Sequence, residues 1–308
     1  MFTSALNPNV VKTALDSVFK QNWEYEKQPG LATAETAAVF KQETADSSAV
    51  ILEIFKGSGY WGQKAELADV QNSTPRVGNN KTFTVTEYAD SIDISKNLFD
   101  DNKHGVYEKM VAEFAEMGRI TRDKNAFAVY RNAFTTALTA DGVALVSDSH
   151  TTLSGNTVDN KLTAALSVTS LNDAIVALGE QIGQNGAIRG AQPSVLLVPL
   201  KLFKRAKEIT ESSKMADTAN NNMNIYSDTY MLTVYTSPFL GAAAGGSDTA
   251  WFLLGRNHSV TRWVRQGIQT DMVDYKFQRN NNYIYKASFR EVVGAIDYCG
   301  VVGSLGTA

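Results

Sequence analysis

The spacing of hydrophobic residues divides the chain into helical and strand-like stretches. The longest helical pattern covers residues 103–138, where apolar side chains recur every three or four positions. These side chains are Tyr107, Met110, Val111, Phe114, Met117, Phe127, Tyr130, Phe134 and Leu138. A continuous helix of this length would span ~54 Å at ~1.5 Å per residue. The pattern therefore predicts one long helix that crosses the molecule.

Shorter helices and several strands are predicted around this long helix. Asn7 or Asn9 is a suitable N-cap for a helix that ends near Gln21. Ser170 begins another helix in a capping-box-like sequence, and Pro199 begins a third. Apolar or alternating runs predict strands at residues 49–55, 194–198, 231–235, 251–254 and 283–302. This mixture of elements, without internal repeats, indicates an α+β fold.

Residues 50–63, VILEIFKGSGYWGQ, contain a glycine pattern that raises the question of nucleotide binding. The segment Gly57–Gly62 fits G-x-G-x-x-G, which binds dinucleotides when it lies between a buried strand and a helix. The stretch that follows is a poor helix, because it is short and breaks at residues 72–75. The next strand, within residues 81–95, alternates threonine with apolar side chains, whereas a parallel strand in such a fold is nearly all apolar. A nucleotide-binding enzyme is therefore the least favoured interpretation.

The same region is better explained as the root of a long β-hairpin. Two polar arms, residues 64–72 and 79–95, are joined by a segment rich in turn formers, residues 75–80. The parity of the apolar positions changes near residues 86–87, which predicts a β-bulge. Because a lone hairpin buries too little surface to be stable, we expect this one to lie against another subunit. The residues expected at that interface are Tyr60, Trp61, Phe83, Val85, Tyr88 and Ile92.

Composition and charge narrow the possible partners. The 308 residues carry a net charge of −3, whereas proteins that neutralise the phosphates of nucleic acids usually have a clear basic excess. No apolar run approaches the ~20 residues of a membrane helix, and the first residues do not resemble a secretion signal. The single cysteine, Cys299, is predicted to be a small buried side chain among strand residues. These features predict a soluble protein made inside the cell, without membrane association.

Residue types with catalytic potential do not form a known catalytic pattern. Asp148-Ser149-His150 brings together the three residue types of a hydrolase triad, but triads are assembled from separated positions. A loop with local hydrogen bonds is the preferred interpretation. His104 and His258 belong to no metal-spaced cluster, and the basic run from Arg256 to Arg279 is expected on a solvated or intersubunit face. We therefore predict neither an enzyme nor a bound cofactor or metal.

Several stretches, taken in order, resemble the major capsid proteins of tailed bacteriophages, particularly the Mu-like head subunits. The resemblance extends from about residue 50 to residue 303 and depends on the order of motifs that are individually weak. The motifs are TVTEYADSIDISKNLFDD, RNAFTT, DGVALVSDSH and PSVLLVPLKLFKRA, followed by the strand at 251–254 and the segment 283–303. The resemblance implies the Hong Kong-type phage capsid fold.

This fold implies a division of the chain into parts. Residues 1–48, polar with few apolar anchors from residue 28, would be an N-terminal arm, and residues 49–97 the extended hairpin loop that lies over neighbouring subunits. Residues 98–138 would form a peripheral domain around the long spine helix, and residues 139–262 an axial domain. Residues 263–308 would return to the peripheral domain as strands. The missing support for the hairpin would then be an adjacent copy.

The resemblance also implies a function and a set of partners. Copies of the chain would form hexamers and pentamers in an icosahedral shell that encloses viral double-stranded DNA without reading its sequence. We expect a separate scaffolding protein, a portal, a decoration protein in some shells, assembly in the bacterial cytoplasm and final location in the virion. Lys64 and Lys81 lie on the hairpin, but nothing identifies a partner for covalent cross-linking. A nanocompartment shell with a protein cargo is the alternative with the same fold.

Overall fold

The protein is described by a computed structural model that covers residues 8–23, 38–97, 104–212, 224, 226, 232–274, 278 and 282–307. The helices are α1 (Pro8–Trp23), α2 (His104–Ala126), α3 (Ala128–Arg131), α4 (Val168–Gly179) and α5 (Phe203–Glu211). The strands are β1 (Lys41–Thr44), β2 (Ala49–Lys56), β3 (Arg76–Thr84), β4 (Thr86–Ser95), β5 (His150–Thr151), β6 (Thr157–Val158), β7 (Lys161–Leu162), β8 (Pro193–Pro199), β9 (Thr233–Ser237), β10 (Trp251–Gly255), β11 (Val260–Val273), β12 (Asn282–Ala295) and β13 (Val301–Ser304). The predicted α+β class is confirmed.

A five-stranded sheet in the order β7-β13-β10-β8-β9 forms one centre of the molecule. Strand β8, which lies between β10 and β9, is apolar on both faces because each face meets a different core. Val195 and Leu197 pack with residues around α3, whereas Leu196 and Val198 pack with α4 and α5. The continuous run SVLLV thus has the sequence of a strand covered on both sides.

A four-stranded sheet in the order β1-β11-β12-β4 forms the other centre. Helices α1 and α2 cover one of its faces, and the core between them contains Phe19, Val111 and Tyr285. The Tyr285 hydroxyl donates a hydrogen bond to Asp16 Oδ1 at 2.7 Å, which ties α1 to the sheet. Because β11 runs from residue 260 to 273, the domain boundary predicted at residue 262 falls inside this strand.

The long helix predicted over residues 103–138 is shorter than expected. Helix α2 ends at Ala126, so that its 23 residues span about 35 Å instead of ~54 Å. The chain continues through α3 and then turns, because the Asn132 carbonyl accepts hydrogen bonds from Thr136 and Ala137. Phe127 and Tyr130 at this bend are fully buried beside the five-stranded sheet. Asp100, Asp101 and Asn102 precede this helix in the sequence and are suitable N-caps, but they lie outside the described residues.

The helix predicted to begin at Ser170 begins two residues earlier, at Val168. Ser167 is its N-cap and accepts a hydrogen bond from the backbone N–H of Ser170 at 3.1 Å. The Ser170 hydroxyl in turn accepts one from the Ser167 N–H at 2.9 Å. Ser170 is therefore the N3 residue of the capping box, not its N-cap. A capping box is present, but it lies three residues earlier than the sequence predicts.

The hairpin is present, but its arms differ from the prediction. Strand β2 is the first arm and pairs antiparallel with β3, whereas residues 57–75 form a loop without strands. Strand β4 belongs to the four-stranded sheet, where it pairs with β12. The change of parity near residues 86–87 marks this passage from one sheet to another at Val85, not a β-bulge.

Candidate intersubunit surface

The root of the hairpin is fixed by a small core of its own. Phe83 and Val85 pack against Ala45 and Trp263, and the Phe83 and Trp263 ring centroids are 4.8 Å apart. Gly294 on β12 leaves space for the Phe83 ring, because a Cβ at that position would lie 2.2 Å from it. This cluster joins the hairpin to the edge of the four-stranded sheet.

Two of the predicted interface residues therefore lie inside the protomer. Phe83 is 6% exposed and Val85 is 7% exposed, and the chain's own residues cover both. Their apolar character is explained without a neighbouring copy. We restrict the proposed intersubunit surface to residues whose side chains remain accessible.

The outer face of the hairpin is apolar and uncovered in the protomer. Ile51, Phe55 and Val77 are each about 60% exposed, and Phe55 lies opposite Val77 in the strand pairing. The alternate positions Val50 and Leu52 face the root cluster. Strand β2 is thus apolar on two faces, as a strand between two packed layers is, although only one layer is present in the protomer.

The loop after β2 presents further exposed apolar side chains. Tyr60 is 71% exposed and Trp61 is 91% exposed. The Tyr60 hydroxyl accepts a hydrogen bond from the backbone N–H of Ile188 at 3.0 Å, and Asn185 Nδ2 donates to the Ser58 carbonyl at 2.7 Å. These bonds hold one side of the loop against the segment between α4 and β8, while Trp61 remains exposed to solvent.

The glycine pattern Gly57–Gly62 lies within this loop, between two antiparallel strands. No helix begins between residue 57 and residue 75, all of which the structure describes. The strand–loop–helix context that makes such a pattern bind a pyrophosphate is absent from this stretch. Its glycines serve the loop, where Gly62 N–H donates to Gln71 Oε1 at 3.1 Å.

An aromatic groove lies between α1, α2 and the four-stranded sheet, with a volume of about 420 Å³. Its lining comprises Phe19, Trp23, Glu87, Tyr88, Ala89, Asp90, Phe114, Met117, Gly118, Thr121, Ile268, Ala287 and Phe289. Tyr88 stacks on Phe289 with ring centroids 5.1 Å apart. Burial, with Glu291 nearby, raises the pKa of Tyr88. Ile92, the remaining predicted interface residue, is partly buried against the same core.

A polar contact connects the hairpin to the chain after α3. Lys81 Nζ donates to the Leu138 carbonyl, and partial burial lowers the pKa of Lys81, with Asp141 opposing that effect. Asp141 in turn binds His150, whose Nδ1 is 2.7 Å from Asp141 Oδ2. Hydrogen bonds from His150, Thr139 and Val143 lower the pKa of Asp141 against the effect of its burial. These bonds fix the loop that follows Leu138.

The Asp148-Ser149-His150 segment does not form a triad. His150 pairs with Asp141, while Asp148 is exposed near Lys161, and the Ser149 hydroxyl lies 3.1 Å from that of Ser147. This geometry is that of a loop with local hydrogen bonds. The side chain of His104 lies outside the described residues.

The basic run after residue 256 is less exposed than predicted. Arg262 lies buried in β11 and forms hydrogen bonds of 2.6 and 2.8 Å with Glu291 Oε2 on β12. Arg265 donates to backbone carbonyls of the arm, including that of Ala45, and Arg279 lies outside the described residues. The sequence alone does not reveal the Arg262–Glu291 pair, because only the pairing of β11 with β12 brings the two side chains together.

Cys299 lies near the start of β13 and is only partly buried. Its Sγ is 3.9 Å from Arg189 Nη1. Burial raises the pKa of the Cys299 thiol to about 12, and the nearby Asp297 contributes in the same direction. The thiol is therefore a poor nucleophile at neutral pH.

Within the described parts of the chain, no group of three or more histidine, cysteine, aspartate or glutamate side chains is placed to hold a metal ion. None of the described helices combines the length and apolar character needed to cross a lipid bilayer. The outer face of the hairpin, its loop and the aromatic groove are the accessible features that are rich in apolar or aromatic side chains.

Comparison with known protein families decides what kind of protein this is. The family described as "Phage capsid protein" matches residues 79–304, from β3 to the end of β13. The chain belongs to the phage capsid protein family. It is a structural protein of the capsid shell and thus a component of the virion. No curated protein has a significantly similar sequence.

Solved structures with the same fold are shells. The virus-like particle from Pyrococcus furiosus has 9% identity and a TM-score of 0.57, over 95% of this capsid protein and 98% of that chain. The capsid of Myoviridae phage XM1 has 12% identity and a TM-score of 0.55, over 92% and 95%. The capsid of cyanophage P-SCSP1u has 11% identity and a TM-score of 0.55, over 92% and 90%. At such low identity these likenesses establish the fold alone, and they confirm the predicted Hong Kong-type architecture.

The resemblance stated from the sequence is confirmed at the level of the phage capsid family. Assignment to the Mu-like group stays a prediction, as do the domain boundaries and the individual interface residues. The capsid protein forms an oligomeric shell from copies of itself.

Proposed function

We propose that copies of this capsid protein assemble, as hexamers and pentamers, into an icosahedral head that encloses viral double-stranded DNA. In this proposal the hairpin β2–β3 and its loop lie on a neighbouring copy. The observation that carries it is the distribution of exposed apolar side chains: of thirteen large ones among the described residues, seven lie within residues 51–77. They are Ile51, Phe55, Tyr60, Trp61, Leu67, Val70 and Val77.

A surface of this kind has a physical consequence for assembly. Exposed apolar patches on a protein surface mark interaction sites, and burial of apolar area contributes roughly 25 cal/mol per Å². The hairpin surface differs from the surface that receives it, so the contact is heterologous and closes into rings when the rotation between copies permits. Each contact alone is modest, so that misplaced subunits detach before the shell closes.

The charge of the protein suits a container for DNA. A net charge of −3 provides no general attraction for phosphate, so the wall holds DNA by enclosure instead of by tight binding. We assign the four-stranded sheet with α1 and α2 to the peripheral domain. We assign the five-stranded sheet with α4 and α5 to the axial domain near the five- and six-fold axes. A separate scaffolding protein and a portal complete the proposed assembly, which takes place in the bacterial cytoplasm.

Electron microscopy and sedimentation of the purified protein test the proposal. The wild type is expected to form shells, rings or tubes above a threshold concentration. Phe55→Asp places a charge on the outer hairpin face and is expected to leave folded, unassembled protein, whereas Glu53→Asp on the same face is a matched control that assembles. A wild type that remains monomeric at every concentration contradicts the proposal.

The contents of shells recovered from infected cells separate a viral head from a nanocompartment. Nuclease-protected DNA is expected inside the shells. A single packaged protein cargo, without DNA, identifies the nanocompartment instead.

A further inference from the structure

Trp61 is the most exposed aromatic side chain among the described residues, at 91%, and its neighbours are held in place. Ser58 and Tyr60 are bonded to the turn between α4 and β8, and Gly62 is bonded to Gln71. The loop therefore presents an indole to solvent on a supported backbone. Aromatic side chains that are held in this way are typical centres of protein interfaces.

The aromatic groove, which lies at the four-stranded sheet, has a lining suited to an indole. Its floor contains Phe19, Trp23 and Phe289, all buried, and Met117 forms an exposed apolar rim. Gly118 of α2 leaves room beside the Trp23 ring, since a Cβ there would approach it to 2.9 Å. A groove with such a lining accepts a flat aromatic group by stacking and edge contacts.

Charge adds a second element of complementarity. Glu87 and Asp90 line the groove, while Lys64 lies three residues after Trp61 on the exposed loop. Among the described residues, none of these three side chains forms an ion pair with a side chain of opposite charge, although Glu87 lies opposite Arg290 in the strand ladder. Lys64 is therefore opposite in charge to Glu87 and Asp90 of the groove, although Glu66 and Asp69 lie on the same loop.

We propose that Trp61 of one copy inserts into the aromatic groove of the neighbouring copy, with Lys64 beside Glu87 and Asp90. The inference rests on the proposed function and names the receiving site for the hairpin loop. Because Trp61 is 91% exposed in its own protomer, its indole is available to the groove of another copy. Each copy then gives a loop to one neighbour and receives a loop from the other, which is the arrangement that closes a ring.

A charge reversal with rescue tests the pairing. Lys64→Glu and Glu87→Lys are each expected to raise the concentration needed for assembly about tenfold, because each brings like charges together. The double variant restores the opposite charges and is expected to recover most of the loss. Trp61→Ala is expected to raise that concentration by about tenfold or more. Leu200→Ala, at an exposed apolar side chain outside the hairpin, is the control that leaves it unchanged.

A cysteine pair tests the geometry directly. In assembled shells of Gln63→Cys/Thr121→Cys, oxidation with copper–phenanthroline is expected to give disulfide-linked dimers and larger ladders on a non-reducing gel. The control pair is Gln63→Cys/Lys204→Cys, because Lys204 is 89% exposed on α5, far along the chain from the groove. The wild type, treated in the same way, reports any contribution of Cys299.

The outcomes separate this inference from the proposed function. Shells that form without cross-linked dimers, and without rescue in the double charge variant, overturn the inference and leave the proposed function standing. A disulfide that forms within one copy also overturns the inference and leaves the proposed function standing. Wild-type protein that never assembles overturns both.

Discussion

The two ends of the hairpin carry similar side chains but differ in what covers them. At the root, Phe83 and Val85 are almost completely buried by residues of the same chain. In the loop, Trp61 is 91% exposed and Leu67 is 98% exposed. Both ends are rich in large apolar residues, so composition alone does not distinguish them.

The difference shows that an apolar side chain in the sequence predicts burial, but does not show whether the same chain or a neighbouring copy buries it. The root has a rigid receiver in its own fold, since Gly294 opens a space into which the Phe83 ring fits beside Trp263. The loop, residues 57–75, contains no strand and touches its own chain through polar contacts at Ser58 and Tyr60. The root therefore belongs to the folding of the protomer and the loop to its assembly.

The largest effect that separates the two ends is expected from Phe83→Ala. Removal of a buried aromatic side chain costs about 3–5 kcal/mol of folding stability, because it leaves a cavity against Trp263. Chemical denaturation of unassembled protein measures this loss. Leu67→Ala in the loop is expected to change the free energy of unfolding by less than about 0.5 kcal/mol. Equal effects at the two positions contradict the division between root and loop.

A pH effect is expected on the root side and not in the loop. His258 is buried, and its Nε2 lies 3.2 Å from the carbonyl oxygen of Ala38, just before β1 leads to the root. Burial lowers the pKa of His258 to about 4, and the charge of Lys41 acts in the same direction. The unfolded chain, with the ordinary pKa of about 6.5, binds the proton more readily. Stability is therefore complete above about pH 6.5 and falls as the pH decreases toward 4.

The expected loss attributable to His258 is about 2–3 kcal/mol between pH 7 and pH 4, since one pKa unit corresponds to about 1.4 kcal/mol. Denaturation curves across this range measure it. In His258→Gln the protein is expected to be less stable at pH 7 but to lose less stability on acidification. The loop is held by the Asn185 amide, the Tyr60 hydroxyl and backbone groups, which carry no charge to lose. A pH profile that is unchanged in His258→Gln contradicts the assignment.

Local sequence patterns predict a strand well where its own residues carry a clear hydrophobic pattern. The run SVLLV is buried on both faces and forms the internal strand β8, between β10 and β9. The hairpin arms were misplaced because polar side chains in residues 64–72 permit a strand but do not require one. A change of parity has the same appearance for a β-bulge and for a passage between sheets, and only the pairing of β4 with β12 distinguishes them.

Tertiary partners explain what the sequence could not provide. The bend after Ala126 places Phe127 and Tyr130 in a core shared with residues far along the chain. The Arg262–Glu291 pair depends on the register of β11 and β12. The sequence predicts the apolar residues of the hairpin region as one group of interface residues. The exposure of their side chains in the folded protomer is needed to separate Tyr60 and Trp61, which are exposed, from Phe83 and Val85, which are buried. The aromatic groove has no contiguous signal, because it is assembled from elements distant in sequence.

A smaller effect tests the fit at the root. In Gly294→Ala the new Cβ would lie 2.2 Å from the Phe83 ring, so the ring or the strand must move. Overpacking of this kind is expected to cost about 1–3 kcal/mol. The matched control is Gly267→Ala on β11, where nothing lies within 4 Å of the added carbon. If the two variants unfold at the same denaturant concentration, the close approach between Gly294 and Phe83 does not limit stability.

The smallest effect on stability is expected in the loop, from Tyr60→Phe. This change removes the hydroxyl that accepts a hydrogen bond from the Ile188 N–H, but the site is exposed and water replaces the lost acceptor. The free energy of unfolding is expected to change by less than about 0.5 kcal/mol. Hydrogen exchange at the Ile188 amide is expected to become faster in Tyr60→Phe. Trp61→Phe is the control, because it leaves the Tyr60 hydroxyl in place and is expected to leave the exchange rate unchanged. A loss of more than about 1 kcal/mol would mean that the loop is part of the folded core, and the contrast with the root would disappear.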